Sequence, residues 1–202
     1  MVQSTETGTV YLVNTNVTVN NLASITGAAD NLWNSVTISN PNNPTNLPVA
    51  GLINSSYYKA YAVDYAGNLS SPSSTIVNVD STIPTISSVA ITSATGKQNN
   101  FLNAGDNVSV TVTFSEAVLV ASGTPTLTLV VGSTPQNATF ASGNGLTKLV
   151  FRYTIQAGET DSDGISINAY ALTRPGSSTI RDTFGNYANL DHDPVTHNAE
   201  YK

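Results

Sequence analysis

The chain contains no cysteine, so it has neither a disulfide frame nor a thiolate that could bind metal or act as a nucleophile. Charge is scarce: Asp, Glu, Lys and Arg make up 10% of the residues, against roughly 25% in an average soluble protein. Histidine occurs twice, and tryptophan and methionine once each. No apolar run approaches the length needed to cross a bilayer, so membrane insertion is not expected. No stretch repeats its apolar residues at helical spacing. The charge that is present leans acidic, with a net charge of -6 and a pI near 4.5. That balance makes nucleic acid or an anionic membrane a poor partner. The opening Met1-Val2-Gln3-Ser4 lacks the pattern of a secretion signal, which leads us to expect a piece excised from a longer chain.

What fills the gap is Thr, Ser, Asn, Gly and Val, a mixture that favours strands and turns over helices. The hydrophobic fraction of 40% is ordinary, so the low charge does not signal disorder. At 202 residues the chain can form two units that each bury a core. The boundary is expected where Ile76-Val77-Asn78-Val79 runs into Asp80-Ser81-Thr82-Ile83-Pro84. Pro84 fixes its own φ and pushes Ile83 into an extended conformation, which describes a taut connector rather than a flexible tether. Residues 1–80 and 81–202 are therefore read as separate units.

In the first unit, Thr9–Val13, Asn16–Val19, Ser35–Ile38, Tyr58–Val63 and Thr75–Val79 read as strands, with Tyr58, Ala60 and Ala62 facing inward. Asn40-Pro41-Asn42-Asn43-Pro44 reads as a loop, because proline cannot join a ladder. The second unit alternates more cleanly. Val108, Val110, Val112 and Phe114 form one series; Leu127, Leu129 and Val131 form a second; Leu149, Phe151, Tyr153 and Ile155 form a third; Ile165 and Ile167 follow. Period two over several segments separated by turns predicts half-buried antiparallel strands, and short strands at this spacing predict β-sandwiches. One motif occurs in both halves: Asp64-Tyr65-Ala66-Gly67-Asn68 matches Asp182-Thr183-Phe184-Gly185-Asn186 as D-x-x-G-N. This predicts a tight turn whose Gly adopts positive φ and whose Asp and Asn bond to nearby amides.

Catalytic motifs are missing. There is no G-x-S-x-G and no phosphate-cradling glycine loop, while Gly143-Asn144-Gly145 reads as a hairpin turn. Asp191-His192-Asp193 and His197 lie in polar sequence with nothing to converge them, so an exposed loop is expected there and no enzyme activity. The best candidate for chemistry is Glu159-Thr160-Asp161-Ser162-Asp163-Gly164. Three carboxylates at alternate positions offer hard oxygen ligands to Ca²⁺, which takes six to eight of them. It is not an EF-hand loop, because Leu172 stands where that loop requires Glu.

The run Gly105-Asp106-Asn107-Val108-Ser109-Val110-Thr111-Val112-Thr113-Phe114-Ser115-Glu116-Ala117-Val118 resembles the tandem immunoglobulin-like repeats of giant type I-secreted bacterial adhesins of the RTX kind. Gly123–Leu129, Gln156–Ile167 and the turn Asp182–Asn186 carry the same resemblance. The first unit is similar to a shorter repeat class of such proteins, or to a fibronectin type III-like module. The resemblance implies an all-β chain of two tandem immunoglobulin-like β-sandwiches that extends an adhesive tip from the bacterial surface. It implies an extracellular monomer whose partners are neighbouring repeats in the same chain, and it implies no activity.

In a sandwich of that connectivity, the loop carrying Asp106 should meet Glu159, Asp161 and Asp163 at one end, where four like charges call for a cation. Asp80 is similar to the linker acids of calcium-stiffened repeats, and Asp182 is expected to face the joint. The first unit has Gly51-Leu52-Ile53-Asn54-Ser55 where the second has its acidic run. A rival reading is a glycan-binding module, which needs an aromatic platform from residues such as Trp33, Tyr61 and Tyr65, although a core role suits Trp33 better.

Overall fold

Strand pairing supplies nearly all the regular structure, as the alternation predicts. The computed structural model describes all residues 1–202, which divide into the units Met1–Thr82 and Ile83–Lys202.

The first unit is built on one antiparallel sheet. Its strands are β1 (Gly8–Asn14), β2 (Trp33–Ile38), β3 (Ser56–Asp64) and β4 (Ile76–Val79), in the order β2-β1-β3-β4. The register places Val10 opposite Val36 and Ala62, and Leu12 opposite Ala60. These residues therefore share a face. The buried cluster on it comprises Val10, Leu12, Ile38, Leu47, Leu52, Tyr58 and Val79. Leu47 and Leu52 come from the loop 39–55, so that loop covers the face where a sandwich would place a second sheet. The opposite face carries Tyr11, Trp33 and Tyr61, with the Tyr11 and Trp33 rings 5.7 Å apart.

Two local expectations fail in this unit. Asn16–Val19 is not a strand, because β1 ends at Asn14, whose Oδ1 accepts the Asn16 N–H (3.0 Å) while its carbonyl accepts the Val17 N–H. That side chain offers the backbone a turn in place of a ladder. A short helix, α1 (Leu22–Thr26), follows, with Asn21 as N-cap accepting from the Ser24 amide. One turn and a half is too short to display helical periodicity.

The second unit contains β5 (Ile86–Thr95), β6 (Asn107–Ala121), β7 (Thr126–Val131), β8 (Thr134–Ser142), β9 (Leu146–Thr154), β10 (Leu172–Thr173) and β11 (Thr179–Arg181). The path of pairing is β10-β7-β8-β9-β6-β11, with β5 also on β6. The 15-residue β6 is the spine, pairing with β5 and β9 through Asn107–Thr113 and with β11 at Leu119–Ala121. Between these stretches the ladder with β9 is irregular, from Thr113 to Val118. The core is the one the alternation marks: Val108, Val110, Val112, Phe114, Leu127, Leu129, Val131, Leu149, Phe151, Tyr153, Ile155, Ile165 and Ile167 are all buried. Removing each such side chain from water contributes roughly 1.5–3 kcal/mol, which offsets the chain entropy lost on folding. Ile165 and Ile167 reach this core from a segment held by isolated bridges (Ser166 to Val130, Ile167 to Val195) rather than from a strand.

Candidate metal centre

The repeated D-x-x-G-N turn forms twice, with matching bonds. In the first unit Asp64 accepts from the Asn68 amide (2.8 Å) and the Asn68 side chain (2.7 Å). In the second, Asp182 accepts from the amides of Phe184 (2.8 Å) and Asn186 (2.9 Å) and from the Asn186 side chain (2.8 Å). Gly67 and Gly185 supply the positive φ, 90° and 98°, that the fourth position requires. Burial separates the two turns. Asp64 is half-buried, and its hydrogen bonds with Asn68 hold its carboxyl below the ordinary range. Asp182 is only 2% exposed.

Glu116 lies beside Asp182. Each offers a carboxylate oxygen, and these ligand atoms lie within 4.8 Å of one another, close enough to share one cation. Glu116 is half-buried and sits in the irregular part of β6, between Phe114 and Val118. Sequence reasoning missed it, although a signal exists. Glu116 continues the even-numbered series Val108, Val110, Val112, Phe114 and Val118, so an acid stands in phase with the buried face. Asp182 keeps coordinating capacity, because its three accepted bonds leave lone pairs on its oxygens. Two carboxylates alone fall short of the six to eight oxygens Ca²⁺ prefers.

Asp80, in the connector, directs its own Oδ1 to the Thr82 amide (2.9 Å). The connector is tied at both ends. On the first unit, the Ser81 amide donates to Asn54 Oδ1 (2.7 Å), and the Asn54 side chain donates to Thr82 Oγ1. On the second, the Thr85 amide donates to Ser115 Oγ (3.0 Å), and the Pro84 carbonyl accepts from Asn189 (2.9 Å).

Of the other four candidate ligands, Asp161, Glu159 and Asp106 accept from backbone amides, while Asp163 meets a histidine. Asp161 accepts from Gly132 (2.8 Å), Gly164 (2.6 Å) and Asp163 (3.2 Å), which pins its own loop to the end of β7. Glu159 accepts from the Gln156 amide (2.7 Å) and the Tyr153 hydroxyl, and burial together with that carboxylate pushes the tyrosine pKa up. Asp106 closes its turn on the Asn103 amide (2.7 Å). Asp163 is exposed and 3.3 Å from His197. Glu159, Asp161 and Asp163 line one groove of about 660 Å³ with Phe101, Leu102 and Lys202, but Asp106 does not line it. No three of these four carboxylates bring ligand atoms within 4.8 Å of one another.

The two histidines are engaged separately. His197 Nδ1 meets the Gly164 carbonyl at 3.0 Å. His192 bridges Ala171 and Asp193. Comparison of the chain with protein families, with characterised proteins and with solved structures gives no match in any of the three.

Proposed function

We propose that the chain is a mechanical spacer: two extender repeats of a large bacterial surface adhesin, immunoglobulin-like in kind, that hold a distal binding region away from the cell. The observation that supports this best is the connector. Hydrogen bonds fix it to the first unit as far as Thr82 and to the second from Pro84 onward, so only Ile83 lies between the two anchored stretches. Pro84 restricts even that residue to extended conformations. Freedom removed at a joint becomes reach in an array.

Calcium binding at the ends of the units completes the proposal. Glu116 and Asp182, both in the second unit, supply two carboxylates. Hard oxygen donors of this kind suit Ca²⁺. The chain then acts outside the cell as a monomer, beside further repeats of the same protein.

Spin labels test the spacer reading directly, since the absence of native cysteine makes labelling clean. Labels at exposed Thr37→Cys and Thr139→Cys should give one narrow distance distribution that calcium narrows further. A broad distribution, unchanged by calcium, would overturn the spacer reading. The alternative, a glycan-binding module, draws on the three rings Tyr11, Trp33 and Tyr61 that share one face of the first unit. Glycan binding lost in Tyr11→Ala and Tyr61→Ala would favour it over the spacer.

A further inference from the structure

The second unit's sheet buries one face and turns the other outward, and the outward face has a chemistry unlike the rest of this acidic chain. Side chains alternate along a strand. With Val108, Val110 and Val112 of β6 buried, Ser109, Thr111 and Thr113 point the other way. By the same alternation β9 buries Leu149 and Phe151 and turns Lys148 and Arg152 outward, where both are exposed. β7 contributes Thr126 and Thr128 to this face, and β8 contributes Thr139. The register sets hydroxyls beside the cations: Arg152 lies opposite Thr139 on β8 and Ser109 on β6, and Lys148 lies opposite Thr113. Strands β5, β7, β8 and β9 contain no Asp or Glu, and the one acid of β6, Glu116, is in phase with the buried series.

The two cations are also uncompensated. Lys97 lies over the Tyr201 ring (4.5 Å) and Arg174 over the Tyr187 ring (5.6 Å), whereas Lys148 and Arg152 meet neither a ring nor a carboxylate. Four residues of strand place them about 13 Å apart. At physiological salt, charges farther off than about 8 Å are largely screened. The face therefore acts through its own cations rather than through the net charge of -6.

We propose that this outer face of β6, β7, β8 and β9 binds a linear polysaccharide that carries carboxylates, a polymer of uronic acids in kind. The cations pair with carboxylates spaced along the polymer, the Arg152 guanidinium as a two-pronged donor and the Lys148 ammonium as a point charge. The threonine hydroxyls around them both donate and accept, so they exchange hydrogen bonds with sugar hydroxyls. Short side chains make a shallow surface, which an extended polymer can cross but which cannot enclose a small molecule. Single-stranded nucleic acid fits less well, because no aromatic side chain stands on this face to stack a base.

The test is binding of the intact chain to immobilised polygalacturonate, with immobilised dextran as the neutral control and a single-stranded oligonucleotide as the rival polyanion. The chain should bind polygalacturonate at low salt and not dextran. Binding should vanish near 1 M NaCl, where the Debye length is about 3 Å. Lys148→Gln and Arg152→Gln should each weaken it about two- to fivefold, the range of an exposed ion pair, and the double variant about tenfold. Their melting temperatures should match the wild type, since neither side chain has a partner to lose. Lys59→Gln, in the first unit, should bind as the wild type does. No binding to polygalacturonate, equal binding to dextran, tighter binding to the oligonucleotide, or undiminished binding by the folded double variant overturns the proposal. Binding lost in Lys59→Gln also overturns it, because the polymer would then lie on the first unit.

Discussion

Replacing Asp182 with alanine should damage the second unit far more than Asp64→Ala damages the first, although the two side chains make the same turn. Asp182 accepts from two backbone amides and one side-chain amide, and it does so almost entirely out of water. Each hydrogen bond to a charged acceptor contributes roughly 1.5–3 kcal/mol, and the bonds of one turn are not additive. Removing the carboxylate also relieves the cost of burying it, which offsets part of the loss. The net destabilisation is about 2–4 kcal/mol. For a unit of this size that lowers the melting temperature by about 8–15 °C. At Asp64 the same bonds face solvent, water replaces the lost acceptor, and the drop should be much smaller. Calorimetry in EDTA, with the two unfolding transitions assigned to their units, measures both effects. Equal shifts in the two variants would refute the reasoning, since burial would then not set the strength of the turn.

If calcium is held at Glu116 and Asp182, a concentration about a hundredfold above its Kd stabilises the second unit by about 2.7 kcal/mol. Melting should then rise by about 10 °C between EDTA and millimolar calcium, and Glu116→Gln should abolish the rise; identical melts would remove the metal reading. Gly132→Ala should destabilise the second unit, because φ is +60° there and an added Cβ would sit 2.4 Å from the Thr160 carbonyl oxygen. Urea denaturation that leaves its midpoint unchanged would contradict that packing. Asp64 has a depressed pKa in the folded state, so the stability it contributes is complete above the ordinary aspartate range and is lost as pH falls through the folded value. Its carboxyl carbon, followed by NMR, should titrate below the ordinary range in the wild type and return towards it in Asn68→Ala.

The core of the second unit was legible because β6, β7 and β9 each have one buried face, and period two writes that face directly into the sequence. The first unit was harder to read. Its covering layer is a loop whose Leu47 and Leu52 follow no period. Asn14 ended a strand by a side-chain bond that competes with the ladder, and α1 is too short to repeat anything. The acids proved hardest. Glu159 and Asp161 look like ligands in sequence, yet their oxygens accept from Gln156, Gly132 and Gly164. A carboxylate two residues from another can bind a cation or a nearby amide, and only the path of the surrounding backbone decides which. Glu116 stood in an unremarked place, but its phase with Phe114 and Val118 was a sound reason to look there.

The two D-x-x-G-N turns show what local sequence does and does not specify. Five residues suffice to write the turn: Asp accepts, Gly turns, and Asn returns its amide and side chain to the same carboxylate. What surrounds the turn comes from distant residues. In the second unit the strand before it, β11, pairs with the far end of β6, and Ile180 and Ala188 on either side of the turn are buried. That packing removes Asp182 from water and brings it beside Glu116. The half-buried copy of the motif has only a turn to make. The buried copy makes the same turn and stands beside a second carboxylate, so the pairing of Asp182 with Glu116 follows the length and phase of β6 rather than the motif itself.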